Sequence, residues 1–397
     1  MTWSVTSQGP HRRIVHVTAD YPDAVDPHKT PAVRDWMELT DERFDHHVIS
    51  LNRRCPSLRR LAAILTRRHG SMEVVQVDGD VESAIYQALP KGLLHATMLK
   101  RLAESIATRI AKGPRPDLLV GYKLTIEGLV VAEVARILDL PYAVVIQGCT
   151  DARIVAARPD LASSFAKVLQ GAACVMSVSP WALVEIQRQL DIRIRHSVDL
   201  PCAVKLDRPI APAIGGEAWF SGFHFRNAHV KNFDRLAAAV GRARRTYGEI
   251  GLDLAGSGNP AQTRRIAHVA RRTGGIRMIG HVPNAAMAMH YNRAIGFAMP
   301  SRRESFGMVF VEALMCGCPI VYPKGRAVSG WFDRAPFAIA VDPTDVQAIT
   351  DGLLQVKLDE PALKSALHAW QQSGAARRFM RDTIAETYAD ALAGACA

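Results

Sequence analysis

Short apolar runs alternate with stretches of helical period along most of the chain. RIVHVTADYP predicts a buried strand at Ile14–Val17 that runs into a loop. Thr30 and Pro31 then supply an N-cap and a first-turn proline for a helix through AVRDWMELT. HHVISLN, EVVQVD, PDLLVGY and PYAVVIQG read as further strands, with the helix EGLVVAEVARILDL between the last two. CVMSVS and a helix from Pro180 continue the alternation. Strands separated by helical stretches predict parallel βαβ units and a doubly wound sheet.

The rhythm breaks near Leu200, where DLPCAVKLDRPIAPAIGGE is rich in Pro and Gly and reads as a linker. It restarts with the strand AWFSGFH, the helix NFDRLAAAVGRARRTYG and the strand LDLAGSG. IRMIGHV, AIGFAMPS, the helix FGMVFVEALMCG and PIVYP follow, and the tail from Glu360 reads as helical throughout. The prediction is an α/β protein with two Rossmann-like doubly wound domains, at 1–205 and 206–375, and a terminal helix over 376–397.

A length of 397 residues agrees with two cores rather than one. An apolar share of 48% and a charged share of 22% are those of an ordinary soluble protein. The opening MTWSVTSQGPHRRIVHV has no signal-peptide core, and no window approaches the roughly 18 apolar residues of a membrane span. A cytoplasmic location is therefore expected. The seven cysteines include no CxxC pair, and Cys316-Gly-Cys318 is too tight for a zinc knuckle, so buried thiols are expected and no metal.

The net charge of +11 asks for an acidic partner. Arg53, Arg54, Arg59, Arg60, Arg67 and Arg68 crowd one segment that carries no acid. Read as a helix, LRRLAAILTRRHG puts Leu58, Leu61 and Leu65 on one face, which suits either an anionic membrane surface or ordinary packing on a core. The basic segments lack interleaved aromatics and carry no recognition motif, so nucleic acid is not expected as a partner.

SRRESFGMVFVEALMCGCPI, Ser301 to Ile320, carries the chemistry. Glu304 stands just before an apolar helix and Glu312 within it. A helix start offers unpaired N–H groups and about half a positive charge, which suits phosphate oxygens, and Gly307 allows close approach to the backbone. Glu304 can accept from sugar hydroxyls beside that phosphate. Glu312, further in, matches a ribose diol, whose two O–H groups span one carboxylate. A nucleotide-sugar answers all three features.

The longer string PSRRESFGMVFVEALMCGCPIV resembles the signature of the retaining glycosyltransferases of family 4, also called glycosyl transferases group 1. Pro300, Ser301, Glu304, Phe306, Gly307, Glu312, Ala313, Gly317 and Pro319 fall at the family's positions. The resemblance implies the GT-B architecture, in which two Rossmann-like domains face a cleft and the C-terminal helix crosses back to the first domain. It implies transfer of a sugar from a nucleotide-sugar, expected to be a UDP-sugar, to a saccharide or lipid-linked saccharide in polysaccharide or glycolipid assembly. It implies retention of configuration, no metal and no cofactor beyond the donor, which is a substrate.

Carried over residue by residue, Lys231 takes the place of the family's diphosphate-binding lysine. The arginine's usual place falls near Gly222 or Phe223, so Arg226 is its substitute. Glu304 is the remaining member of the catalytic set. Ser305, Phe306, Gly307, Met308 and Val309 at the helix start, together with Glu312, Gly256, His281 and Val282, form the donor side. On the acceptor side the first loop lacks the family's glycine pair, which leaves Lys29 and Thr30 as its contacts. Gln147 stands where the family has a histidine; it can donate and accept but cannot become a cation. Asp151 either faces the reacting sugar or caps the following helix. Two other readings share these residues: a non-catalytic nucleotide-sugar-binding partner of another transferase, and a sugar-phosphate synthase.

Overall fold

The computed structural model describes residues 11–55, 72–89, 94–206, 208–248 and 250–396. The arginine-rich helix expected from Leu58 lies outside the described residues. The chain divides into two units: Met1–Val178 with Ala182–Leu200 and Ile384–Ala397, and Ser179–Trp181 with Pro201–Thr383. Among the described residues no helix is long and apolar enough to cross a membrane.

The first unit contains β1 (Arg12–Thr18), α1 (Ala32–Glu38), β2 (Phe44–Arg54), β3 (Met72–Asp78), β4 (Val81–Gln87), α2 (His95–Ile110) and β5 (Leu118–Tyr122). A π-helical turn at Leu124–Gly128 leads into α3 (Leu129–Leu138), followed by β6 (Tyr142–Ile146), α4 (Cys149–Ala157) and α5 (Ala162–Gly171). β7 (Cys174–Ser177), α6 (Pro180–Leu190) and β8 (Ser197–Asp199) complete the run. The eight strands stand in the order β3-β4-β2-β1-β5-β6-β7-β8. Every residue of β5 is buried, as an unbroken apolar run inside a parallel sheet requires.

EVVQVD does form a strand, but it does not extend the parallel set. The short Gly79–Asp80 turn folds the chain straight back, so β3 and β4 pair antiparallel at the sheet edge.

In the second unit β9 (Ala218–Gly222), α7 (Phe233–Tyr247), β10 (Gly251–Ala255), α8 (Pro260–Thr273), β11 (Ile276–Gly280), α9 (Asn284–Arg293) and β12 (Phe297–Ala298) follow in turn. Then come α10 (Met308–Met315), β13 (Ile320–Pro323), β14 (Ala338–Val341), α11 (Val346–Leu358) and α12 (Glu360–Gln372). Its sheet runs β11-β10-β9-β12-β13-β14 with every pairing parallel. Adjacent residues of β9 serve opposite faces. Trp219 packs with Leu236, Val240, Leu353 and Val356 of α7 and α11, and its indole N–H donates to Leu353 O at 3.1 Å. Phe220 turns the other way, into an aromatic series in which Phe297 meets Phe310 edge-on at 5.6 Å. That contact seats α10, the helix carrying Glu312, on the sheet.

The tail is not helical throughout. α12 stops at Gln372, Ser373 is extended (φ −82°, ψ 158°) and its hydroxyl accepts from Ala375 N. A 3-10 turn at Gly374–Phe379 follows, and only after extended Met380 does α13 (Arg381–Ala395) begin. A serine that caps its own downstream amide, followed by glycine, competes with helix continuation.

α13 closes the first unit through one directed chain of hydrogen bonds. Thr40 Oγ1 donates to Trp36 O at 3.1 Å, so it receives its bond from His46 Nε2–H at 3.0 Å. His46 Nδ1 is then an acceptor and takes His16 Nε2–H at 2.8 Å. His16 Nδ1 accepts from the Tyr122 hydroxyl at 3.1 Å, which accepts from the Tyr388 hydroxyl of α13 at 2.7 Å. Both rings are satisfied only when neutral.

Burial, with the neighbouring imidazoles, lowers His16 well below its ordinary value; burial brings His46 down to about 4. An unfolded imidazole takes its proton near about 6.5, so the unfolded chain is protonated first. This contribution to stability is full above that value and is lost as pH falls toward about 4. The urea midpoint of the first unit is therefore expected to drop across that window. In the folded protein the His16 and His46 ring signals should stay flat from about pH 8 down to about pH 5.5. A titration of both near about 6.5 would contradict the neutral chain.

Candidate active site

The loop between β12 and α10 carries Ser301 to Gly307. Gly307 sits at φ +77°, where a Cβ would come within 2.6 Å of the Phe310 ring and 3.0 Å of Glu304 Cγ. A side chain there would be strained and would also push the Glu304 carboxylate away. No side chain caps α10, so the first amides at Met308 and Val309 are left for an outside acceptor. Phe306 is buried, whereas Ser305, Met308 and Val309 keep part of their surface in solvent. The helix begins at Met308, one residue later than the sequence pattern suggests, so Glu304 precedes it by four positions.

Lys231 and Glu304 meet here. Lys231 Nζ lies 2.5 Å from Glu304 Oε2, with the two side chains 20% and 14% exposed. The loops bearing them are joined by backbone and amide bonds on both sides of Lys231. Arg302 N donates to Val230 O at 2.8 Å, and Asn232 Nδ2 donates to Pro300 O at 2.9 Å and to Pro343 O at 2.7 Å. Asn232 holds a left-handed φ of +61°, which asparagine tolerates better than most residues. The sequence reading missed Asn232, although an asparagine directly before a long helix is a recognisable turn signal. Arg226 is exposed, five residues upstream, and its guanidinium has no partner among the described residues.

Glu312 lies in the first turn and a half of α10, half-buried, between buried Val311 and Ala313. Burial raises its pKa, opposed by the Tyr291 hydroxyl and by the Lys205 ammonium. The Tyr291 oxygen is itself buried and completes no hydrogen bond of good geometry among the described residues. Two polar groups thus share an apolar setting with spare capacity for a ligand hydroxyl.

Gly256 also has a steric reason. At φ +148° its Cβ would fall 2.1 Å from Phe223 O, so the turn after β10 presses against the turn after β9. His281 and Val282 follow β11, with His281 exposed and Val282 partly so.

In the first unit the acceptor-side candidates are mostly committed to the protein. Lys29 Nζ donates to Asp23 Oδ2 at 2.8 Å, to Ser50 Oγ at 3.0 Å and to Leu51 O at 3.4 Å, which uses all three ammonium hydrogens. Burial alone would raise Asp23, but Lys29 and the other donors around it win and hold it down at about 2. Thr30 is exposed, and the N-cap position of α1 belongs to Pro31, one residue beyond the expected cap. Asp151 is fully buried and binds Gln147 N at 2.9 Å and the amide and hydroxyl of Thr125. Burial pushes it up to about 6 against those bonds. Its hydrogen bonds tie the start of α4 to the π-helical turn, while the Gln147 side chain stays partly exposed.

Next to them stands a cluster the sequence reading passed over. Lys123, at φ +83°, pairs with Asp20 at 2.5 Å, and Glu127 lies fully buried nearby, its Oε1 accepting from Ala19 N and its Oε2 without a partner among the described residues. Burial pushes Glu127 up to about 8. The clue was available: Glu127 sits in TIEGLVVAEV as Glu312 sits in GMVFVEALM, a carboxylate inside an apolar run. These groups gather where β1, β5 and β6 end, at the point of strand-order reversal in the sheet.

The family model for glycosyl transferases group 1 matches residues 211–376. The O-antigen chain mannosyltransferase B of Escherichia coli is 32% identical over 106 residues, 27% of this chain and 25% of that one. A GDP-mannose-dependent alpha-(1-6)-phosphatidylinositol monomannoside mannosyltransferase of Mycobacterium tuberculosis is 26% identical over 175 residues, 41% of this chain and 44% of the other. The chain therefore aligns with less than half the length of these curated relatives. Among solved structures, sucrose-phosphate synthase from Thermosynechococcus elongatus superposes with a TM-score of 0.67 at 16% identity, over 96% of this chain and 100% of its own. Anabaena Alr3699/HepE in complex with UDP and glucose superposes with a TM-score of 0.63 at 14% identity, over 96% and 100%. Residues 211–376 match the glycosyl transferases group 1 model, in a chain whose two Rossmann-like units have the GT-B fold.

Proposed function

We propose that the protein is a retaining glycosyltransferase that moves a sugar from a nucleotide-sugar to a saccharide or lipid-linked saccharide acceptor, without a metal. One observation carries this reading. Within the family-matched segment, a lysine and a glutamate of opposite charge converge at the uncapped start of α10, with a second glutamate inside that helix. Lys231 and the helix amides stabilise the departing diphosphate, Arg226 adds an exposed charge, Glu304 orients the sugar and Glu312 receives the ribose diol. The acceptor oxygen bonds to the anomeric carbon on the leaving-group face, the bond to the diphosphate breaks, and the hydroxyl proton passes to the diphosphate. The protein contributes position and a preset electrostatic environment. A UDP-sugar donor is the first choice, and the GDP-mannose dependence in the name of the mycobacterial relative makes GDP-mannose the second to test.

Thermal stabilisation by a panel of UDP- and GDP-sugars, followed by transfer and NMR of the product anomer, tests the reading. A retained anomer formed in the presence of a chelator is expected. An inverted anomer or strict dependence on a divalent cation would overturn it. In the same panel Glu312→Gln should weaken the preferred donor by about 1–3 kcal/mol while the fold persists. It should also reduce the preference for ribose over 2′-deoxyribose nucleotides. Unchanged affinity and preference would remove Glu312 from the donor site.

A further inference from the structure

The Lys231–Glu304 pair has a consequence for how a donor enters. Both residues are assigned to the ligand in the proposed site, Lys231 to the diphosphate and Glu304 to the sugar. In the structure of the second unit they are assigned to each other, at 2.5 Å and with most of both side chains out of water. The contact is built rather than casual, because the Arg302–Val230 and Asn232–Pro300 bonds flank Lys231 on both sides and tie its loop to the segment just before Glu304. Glu304 is held too, by Ala327 N on its carbonyl at 3.3 Å and by the close approach of Gly307 to its side chain.

We propose that Glu304 is an internal competitor for the Lys231 ammonium, so that a donor binds by exchange of partners. The diphosphate takes Lys231, and the carboxylate so released turns to the sugar hydroxyls. A nucleoside diphosphate without a sugar breaks the same ion pair and gives Glu304 nothing in return. The site thereby favours the complete donor over the spent nucleotide, beyond what direct contacts with the sugar provide. The ion pair also spares Lys231 from standing without a counterion in a half-buried setting. Arg226, exposed and without a partner among the described residues, remains available to meet the diphosphate while the pair is still closed.

The inference rests on the donor-site reading, and the experiment separates the two. Calorimetric titration with UDP and with GDP is carried out on the full chain as wild type, Lys231→Ala, Glu304→Gln and the double variant. Glutamine keeps the volume and removes the charge. Lys231→Ala should weaken the better-bound nucleoside diphosphate. Glu304→Gln should tighten it about threefold to tenfold, the range expected for release of a partly buried ion pair. In the Lys231→Ala background the Glu304→Gln gain should vanish, since no ammonium remains to be freed. If Lys231→Ala weakens binding but Glu304→Gln leaves it unchanged or weaker, the competition is wrong and the site reading stands. If Lys231→Ala changes nothing for either nucleotide, the site reading fails and the competition with it. Circular dichroism of each variant checks that the fold is intact.

Discussion

Lys231→Ala is expected to slow sugar transfer by about 10²–10³, a loss of about 2.7–4 kcal/mol of transition-state stabilisation. The size follows from the group it serves. The diphosphate gains negative charge as the glycosidic bond breaks, and an ammonium already fixed at the helix start needs no reorganisation at that moment. The same substitution should raise the dissociation constant for the nucleoside diphosphate, because part of the interaction exists in the ground state. Glu304→Ala should fail differently. Transfer should fall strongly, while affinity for the free nucleoside diphosphate is preserved or improved, since Glu304 faces the sugar and otherwise restrains Lys231. Steady-state transfer rates measured beside nucleotide titrations separate the two patterns. Equal losses of nucleotide affinity in both variants would mean that the residues act as one structural unit rather than in two roles.

The residues differ in how readily the sequence disclosed them. Strands of the parallel sheets were legible because burial on both faces leaves unbroken apolar runs, as in PDLLVGY and PYAVVIQG. β4 was not, because VESAIYQ places Glu82 and Ser83 in its first half. The structure supplies the reason: Glu82 is engaged by Arg109 from α2 and by His47 from β2, and a periodicity cannot show partners that arrive from other elements. α12 illustrates the same limit, since its pattern continues past Gln372 into residues that form a 3-10 turn.

At the site the balance is similar. Glu304, Gly307 and Glu312 were legible as a spacing, and the steric need for Gly307 confirms a local reason for one of them. The Lys231–Glu304 contact was not legible, since 73 residues separate its members and only the two stapled loops bring them together. The acceptor side was the least legible. Lys29 and Asp151 stand on the loops that the resemblance points to, and the structure commits both to internal partners, with the Lys123–Asp20 pair close to Asp151.

A second large effect is expected far from the chemistry, at Lys364 of α12. This lysine is only 1% exposed and its ammonium reaches Ala213 O, Ala294 O at 2.8 Å and Glu360 Oε1 at 2.7 Å. Glu360 Oε1 in turn accepts from Gly215 N and Gly216 N at 3.1 and 2.9 Å, so the pair fastens the segment that enters β9. Lys364→Met nearly conserves volume and removes the charge. It leaves a buried carboxylate without its counterion, and the buried Ala294 carbonyl and the part-buried Ala213 carbonyl without this donor. Breaking a buried pair from one side costs about 3–5 kcal/mol. Urea unfolding should show a loss of that order in the transition of the second unit, with the first unit little changed. The double variant Lys364→Met/Glu360→Gln should recover part of it, because the glutamine oxygen still accepts from both glycine amides and no charge is stranded. A loss below about 1 kcal/mol for Lys364→Met, the scale of an exposed pair, would show that water reaches the pair and that it does not fasten the strand.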